Sequence, residues 1–153
     1  MEKLTKDISE IITNEIGELN DKVRGLNFLE ILKAKIIEKI SLLVNKQKFP
    51  LEKEISFENE IIKNSRHIKI TVNYFLKSIS LNKKKMNNDS LFIYFNEISN
   101  IDIFEDKKNF TSLSMYKNTG ISVPKDTIIN SQHNKNLLLI EINNKETEQI
   151  LTN

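Results

Sequence analysis

The spacing of apolar residues changes abruptly at Phe49-Pro50, and this change limits the folds open to the chain. Before it, apolar residues recur every three or four positions, which is the spacing of one helix face. After it, apolar and polar residues alternate, which is the spacing of a half-buried strand. A proline disfavours helical geometry in the residue before it, so the helical part is expected to end here. The pattern predicts N-terminal helices followed by β-structure.

Residues 3–45 are predicted to form two helices. Gly25 is expected to end or bend the first, and Asn27 with Glu30 three residues later is a typical start for the second. The first helix carries one narrow apolar stripe, formed by Leu4, Ile8, Ile12, Ile16, Leu19, Val23 and Leu26.

The second predicted helix has an apolar stripe wider than one buried face requires. Two interpretations follow: the helical pair packs on the rest of the chain, or it also contacts another copy or a protein partner. Because a soluble monomer rarely exposes a patch of several hundred Å², we expect a homo-oligomer or a protein partner. The residues predicted for this contact are Ile36, Ile37, Ile40, Leu43 and Val44.

Short apolar runs separated by polar breaks predict about eight strands beyond residue 52. Asn64-Ser65 is the predicted first turn, and residues 76–81 either extend the second strand or begin a third. Residues 83–89 are predicted to be a polar loop. Because no connection is long enough for the crossover of a parallel sheet, the strands are expected to be antiparallel. The other predicted strands are 91–95, 98–104, 110–116, 120–123, 127–129 and 137–142.

This pattern divides the chain into three parts. Residues 1–48 are the helical segment, 52–145 the β-barrel or sandwich, and 146–153 a polar tail.

Composition excludes several classes of protein. A net charge of +2 gives no broad basic surface for nucleic acid. The chain has no cysteine, which rules out disulfides and thiolate metal sites. Neither a secretory signal nor an apolar run of membrane-spanning length is present. We therefore expect a cytoplasmic protein that contacts neither membrane nor nucleic acid.

The run from Tyr116 to Ile142 resembles the second half of a cupin, a small double-stranded β-helix barrel. The second cupin motif is glycine, five residues, proline, one residue, glycine, two residues, histidine, three residues and asparagine. Only the proline matches. Asn118 and Asp126 occupy the glycine places, and they tolerate the left-handed conformation that glycine usually adopts. The five places fall on Asn118, Pro124, Asp126, Ile129 and His133.

The first cupin motif contributes two histidines and a glutamate to a metal site, and the second motif contributes one histidine. The resemblance places Lys84 and Met86 at the two histidine positions and Ser90 at the glutamate, with Ile129 at the last histidine. Lysine repels a cation, methionine is a poor ligand for a hard divalent ion, and isoleucine has no lone pair. The resemblance thus implies a jelly-roll barrel without the usual metal site, and no metal or other cofactor is expected.

The two histidines of the chain, His67 and His133, are both expected at the surface. A site made of both, completed by Glu97 or Glu141, is left open. Polar residues at the barrel mouth are the predicted ligand-binding set, whereas Phe92, Ile93, Phe95, Leu113 and Met115 are expected to fill the interior. The predicted ligand-binding residues are Tyr74, Tyr94, Asn100, Tyr116, Gln132 and His133.

The residues carry no signature of a nucleophilic enzyme, since a Gly-x-Ser-x-Gly elbow and cysteine are both missing. We expect a non-catalytic, cupin-like protein that acts by self-association or by docking on a protein partner. The alternatives are a divergent cupin enzyme acting on a sugar or small organic acid, and a metal-free barrel that binds a small molecule.

Overall fold

The structure, a computed structural model, describes residues 2–63 and 66–145, and within them two helices precede nine strands. The helices are α1 (Glu2–Glu18) and α2 (Gly25–Asn45). The strands are β1 (Ile55–Lys63), β2 (Arg66–Tyr74), β3 (Ile79–Lys85), β4 (Asp89–Tyr94), β5 (Ser99–Phe104), β6 (Phe110–Met115), β7 (Thr119–Val123), β8 (Ile128–His133) and β9 (Leu138–Asn144).

Two helices are present as predicted, but α1 ends at Glu18 instead of at Gly25, so Leu19, Val23 and Leu26 of the predicted stripe lie outside it. Leu4, Ile8, Ile12 and Ile16 form the buried stripe of α1, as their spacing predicts. Helix α2 begins two residues earlier than the expected Asn27, at Gly25, whose φ of 61° lies in the left-handed region that favours glycine. Neither helix is long and apolar enough to span a membrane among the residues described.

The strands form two antiparallel sheets, as predicted. The first sheet has the order β1-β2-β9-β4-β7 and the second has the order β3-β8-β5-β6. Of the two alternatives for residues 76–81, the structure shows the second: a separate third strand, β3, starts at Ile79. The predicted turn at 64–65 and the polar tail lie outside the described residues.

Both faces of strand β4, in the first sheet, are buried. In β4, Leu91 and Ile93 pack against the helices, whereas Phe92 and Tyr94 point between the sheets. Burial on both faces explains why this strand is a continuous apolar run rather than an alternating one. Ile93 and Phe95 were predicted to fill the barrel interior, and this is wrong: they pack on the side of the first sheet that faces the helices.

The stripe predicted to contact a partner lies inside the chain's own core. Ile36, Ile40 and Val44 are buried against the first sheet, and Ile37 and Leu43 are partly buried beside them. The interpretation that these five side chains face a partner is therefore wrong, because the double-sided sheet supplies the surface that covers them. Oligomerisation through other residues stays a prediction.

Strand β3 continues into the segment predicted as a polar loop. Lys84 pairs with Ile129 and Lys85 with Ile128, after a register shift between Leu81 and Lys84. Lys83 at this irregularity has a positive φ of 53°. The bulge thus carries the lysine run along the edge of the second sheet.

Candidate functional site

The four positions matched to cupin metal ligands come together, but their side chains do not fit a metal. Lys84 and Ile129 are direct partners across β3 and β8. Met86 and Ile129 pack in the apolar layer between the sheets, and Ser90 is buried. An ammonium, a thioether, a hydroxyl and an alkyl group are not a donor set for a divalent ion. The described residues also contain no group of three or more His, Asp or Glu side chains placed to hold one.

A pocket of about 430 Å³ opens beside these positions, at the end of the barrel where β3 ends and β4 begins. We call it the barrel mouth. Its lining is polar and includes four lysines among nine residues, in contrast to the apolar layer behind it. The lining residues are Lys69, Lys84, Lys85, Met86, Asn87, Asn88, Glu141, Asn143 and Lys145.

Successive side chains of β9 alternate between the two faces of the first sheet, and this alternation places Glu141 and Asn143 at the barrel mouth. Ile140 and Ile142 face the helices, so Leu139, Glu141 and Asn143 share the opposite face. Leu139 joins the apolar layer, whereas Glu141 and Asn143 line the pocket. The inner face of the sheet therefore changes from apolar to polar along one strand.

A hydrogen-bond network fixes the floor of the barrel mouth. The side-chain amide of Asn143 donates to Ser90 Oγ at 2.8 Å and to Glu141 Oε2 at 2.9 Å. Ser90 Oγ in turn donates to the carbonyl oxygen of Asn88 at 2.9 Å. The hydrogen bond from Asn143 orients the Glu141 carboxylate. The carboxylate oxygens can still accept further hydrogen bonds from a ligand in the pocket.

Four lysines surround this floor, and three of them form ion pairs. Lys69 Nζ lies 3.3 Å from Glu58, Lys145 Nζ lies 3.2 Å from Glu60, and Lys85 Nζ lies 3.6 Å from Asp126. These acidic partners are not part of the pocket lining. Hydrogen bonds from His67 and Lys145 hold the pKa of Glu60 below its ordinary value.

Lys84 differs from the other three lysines. Its ammonium makes no ion pair with any residue in 2–63 or 66–145. It is exposed at the rim, on the position matched to the first metal-ligating histidine. The mouth therefore holds one ammonium without an ion pair among the described residues, in the same lining as the Glu141 carboxylate.

His133 is buried, which corrects the expectation that it lies at the surface. It is 4% exposed, and its ring stacks on Phe75 with 5.2 Å between ring centres. Its Nδ1 lies 3.4 Å from Ser99 Oγ. Burial, and secondarily the charge of Lys84, lowers the pKa of His133 to about 4. It occupies the barrel end opposite the mouth, since it pairs with Ile79 at the start of β3.

The other histidine lies on the first sheet. His67 Nε2 contacts Glu60 Oε2 at 3.0 Å, at the outer end of β1 and β2. The two histidines thus stand on different sheets, and no two-histidine metal site forms among the described residues.

The six predicted ligand-binding residues do not form one site. Tyr94 and His133 share the barrel interior, with 6.4 Å between ring centres. The hydroxyl of Tyr94 is buried without a hydrogen bond to the described protein, and burial raises its pKa. Asn100 and Gln132 are direct partners on the second sheet. No open mouth therefore joins these four.

Two tyrosines of the predicted set lie elsewhere. Tyr74 is buried on the helix side, where its hydroxyl accepts from the Leu51 amide at 2.9 Å and donates to Asn136 Oδ1 at 3.0 Å. Tyr116 is 60% exposed after β6. The sequence analysis named Lys84, Met86 and Glu141 only in connection with a metal site, and it missed the pocket that they line together with Asn143. Its signal was available in β9, where Glu141 and Asn143 share a face with Leu139.

The glycine positions of the cupin motif are confirmed by the backbone. Asn118 has a φ of 59° and Asp126 a φ of 70°, so both adopt the left-handed conformation. The motif's geometry is thus present although its glycines are replaced.

Comparisons with known proteins find similarity to solved structures alone. No family model matches the sequence, and no curated protein matches it. Among solved structures, a cupin superfamily protein from Desulfitobacterium hafniense shares 14% identity, over 67% of this chain and 86% of that one, with a TM-score of 0.48. A cupin family protein with a double-stranded β-helix fold from Methanocaldococcus jannaschii shares 10% identity, over 68% and 93%, with a TM-score of 0.45.

A mutant of Bacillus subtilis oxalate decarboxylase is also similar, with 8% identity over 67% of this chain and a TM-score of 0.50. The match spans 28% of that enzyme's chain. At such low identity the similarity concerns the fold and not the activity. With a TM-score of 0.50, it shows a shared fold, which in this chain is a jelly roll of two antiparallel sheets preceded by two helices.

Proposed function

We propose that this protein is a metal-independent binding protein that holds a small organic anion in the barrel mouth. The observation that carries the proposal is Lys84, whose ammonium forms no ion pair with the described residues and lines the same pocket as Asn143 and Glu141. A cupin metal places positive charge at this end of the barrel. Here lysine side chains supply positive charge there instead.

The chemistry of the lining favours an anion that also bears hydroxyl groups. The lining carries four ammonium groups, three of them ion-paired with acidic residues outside it, and it favours a carboxylate or phosphate, because charges interact more strongly where water is partly excluded. Glu141 accepts hydrogen bonds but would repel a second anionic group. A small organic acid or an anionic sugar satisfies both requirements, with its anion on the lysines and a hydroxyl donating to Glu141.

Docking through the helices, the leading expectation from the sequence, receives less support. Its five residues pack in the chain's own core, so a partner would have to use the outward face of α2, where Leu42 is 64% exposed. Catalysis is a second candidate, because Glu141 is a carboxylate positioned within a pocket. The pocket lining offers no histidine to act with it, which favours binding over turnover.

Calorimetric titration of metal-depleted protein with citrate and with glucose 6-phosphate tests the proposal. At least one of these anions is expected to bind. Lys84→Gln should weaken binding about tenfold or more, since a charge-assisted hydrogen bond contributes about 1.5–3 kcal/mol. Lys77→Gln is the matched control, because Lys77 is exposed near the opposite end of the barrel.

Two results would refute this function. One is the absence of binding to either anion at millimolar concentration. The other is equal loss of affinity in both lysine variants, which would indicate attraction by overall charge. Recovery of altered ligand after incubation would move the assignment from binding to catalysis.

A further inference from the structure

The outer face of the second sheet carries eight small polar side chains, and we call this set the polar face. They line a groove of about 350 Å³ that is separate from the barrel mouth. One member, Asp102, is charged. The set is Ser80, Asn82, Asn100, Asp102, Ser112, Ser114, Asn130 and Gln132.

Strand register arranges the polar face in two rows. One row runs Ser80, Gln132, Asn100 and Ser114 across all four strands, since each is the direct partner of the next. In the second row Asp102 lies between Asn130 and Ser112. Neighbouring strands are about 4.8 Å apart. The face therefore repeats hydrogen-bonding groups at a regular spacing in two directions.

Much of this hydrogen-bonding capacity is unused. Ser112 Oγ donates to Asp102 Oδ1 at 2.6 Å, Ser114 Oγ is 3.4 Å from Asn100 Oδ1, and Asn130 Oδ1 accepts from the Lys83 amide at 2.7 Å. The NH₂ groups of Asn100 and Asn130 donate to no other described residue. The side chain of Gln132, which is exposed, likewise bonds to none of them.

An aromatic row adjoins the polar rows. Phe104 pairs with Phe110 and with Ile128, and its ring centre lies 5.1 Å from that of Phe110. Phe110 is 50% exposed. Lys83 Nζ lies 4.6 Å from the centre of the Phe104 ring. One continuous strip of the sheet thus combines amide and hydroxyl groups with an exposed aromatic edge.

We propose that the polar face binds a neutral saccharide. A saccharide offers many hydroxyl groups, which match free donors and acceptors in two rows, and C–H surfaces, which match an exposed aromatic ring. The nearly uncharged groove gives no attraction to an anion or to nucleic acid. A protein partner would need an apolar centre to the contact, and here the centre is polar. The proposal does not depend on the anion site in the barrel mouth.

Shift mapping of amide signals by ¹⁵N NMR, with maltotriose, cellotriose, mannotriose and chitotriose as probes, tests this inference. At least one trisaccharide should shift signals of the polar face at millimolar concentration. Gln132→Ala and Asn100→Ala should each weaken that binding about threefold or more, whereas Asn14→Ala on α1 should leave it unchanged. Exposure of these three side chains means that the variants are expected to fold.

The Lys84→Gln variant distinguishes the polar face from the barrel mouth. It should bind the trisaccharide as tightly as the wild type does, although its anion binding is weakened. Three results would overturn the saccharide site. They are failure of all four probes to shift the polar face, shifts confined to the barrel mouth, or concentration-dependent shifts of the polar face without sugar. The last would show that a second copy of the chain covers it.

Discussion

The guanidinium carbon of Arg66 lies 4.3 Å from the centre of the Phe28 ring. Its terminal nitrogens donate to backbone carbonyls in the last turn of α1 and in the loop after it, at 3.3 Å to Ile16, 2.5 Å to Asn20 and 3.0 Å to Val23. The carbonyls at the end of a helix lack their usual partners within it, and those of Ile16 and Asn20 also accept the Leu19 and Val23 amides. One buried side chain from β2 therefore caps α1 and packs on α2, which fastens both helices to the first sheet.

Replacing Arg66 is expected to loosen the helical pair. Arg66→Lys keeps the charge but loses the planar fork that reaches several carbonyls at once. A hydrogen bond from a charged donor contributes about 1.5–3 kcal/mol, so we expect a loss of about 3 kcal/mol in the free energy of unfolding. Urea unfolding followed by circular dichroism measures it. A loss below about 0.5 kcal/mol would show that the cap is unimportant.

The wide apolar stripe of α2 leads to a paired prediction. Ile40 is 0% exposed and Leu42 is 64% exposed on the same helix. Ile40→Asp buries an unpaired carboxylate and should unfold the chain, whereas Leu42→Asp should change its stability by less than about 0.5 kcal/mol. Thermal unfolding and sedimentation together check both. A folded Ile40→Asp protein of lower mass would restore the partner interface.

Much of the fold follows from the sequence because it depends on local period. The helices, the antiparallel strands and the left-handed residues at Asn118 and Asp126 all come from spacing or from residue type. The burial of the apolar stripe on α2 cannot be predicted in this way, because it depends on which sheet packs against the helices. Arg66 is equally unpredictable, since its carbonyl partners are more than forty residues away.

The candidate site is less predictable for a similar reason. Alternation shows that Glu141 and Asn143 share a face, but strand order decides which face opens at the barrel mouth. Lys69, Lys84 and Glu141 come from three different strands, and the last of these is more than fifty residues from the other two. His133, assigned to the surface from its polar neighbours, is buried because the alternation of β8 turns it inward with Ile129 and Ser131.

His133 makes the stability of the protein dependent on pH. Its pKa is about 4 in the folded protein, below the ordinary 6.5, so between these values the unfolded chain binds the proton more readily. Stability should therefore fall as pH falls from about 6.5 to 4, by roughly 3 kcal/mol from this group. Urea unfolding at several pH values measures the slope.

The comparison with His133→Phe isolates this contribution, because phenylalanine keeps a ring against Phe75 and cannot titrate. The variant should show a shallower loss of stability across the same pH range. Parallel curves for wild type and variant would mean that His133 does not control the effect.

The turn at Asn118 provides a test of the cupin motif. Because its φ is 59°, Asn118→Gly should be tolerated or slightly stabilising, whereas Asn118→Val should cost about 1–2 kcal/mol. Lys117→Val is the control, since the neighbouring exposed lysine does not have a positive φ. Equal costs for the two valine variants would argue against a conformational requirement at this position.

The central claim is that lysines take the role of a metal at the barrel mouth. The most direct measurement is a ¹⁵N NMR titration of metal-depleted protein with glucose 6-phosphate and citrate, with metal content verified by elemental analysis. We predict far less than one metal ion per chain in protein purified without chelator. We also predict anion-induced shifts concentrated at residues 84–88 and 141–145 that disappear in Lys84→Gln. Close to one transition-metal ion per chain, or anion binding that appears only after metal is added, would contradict the account.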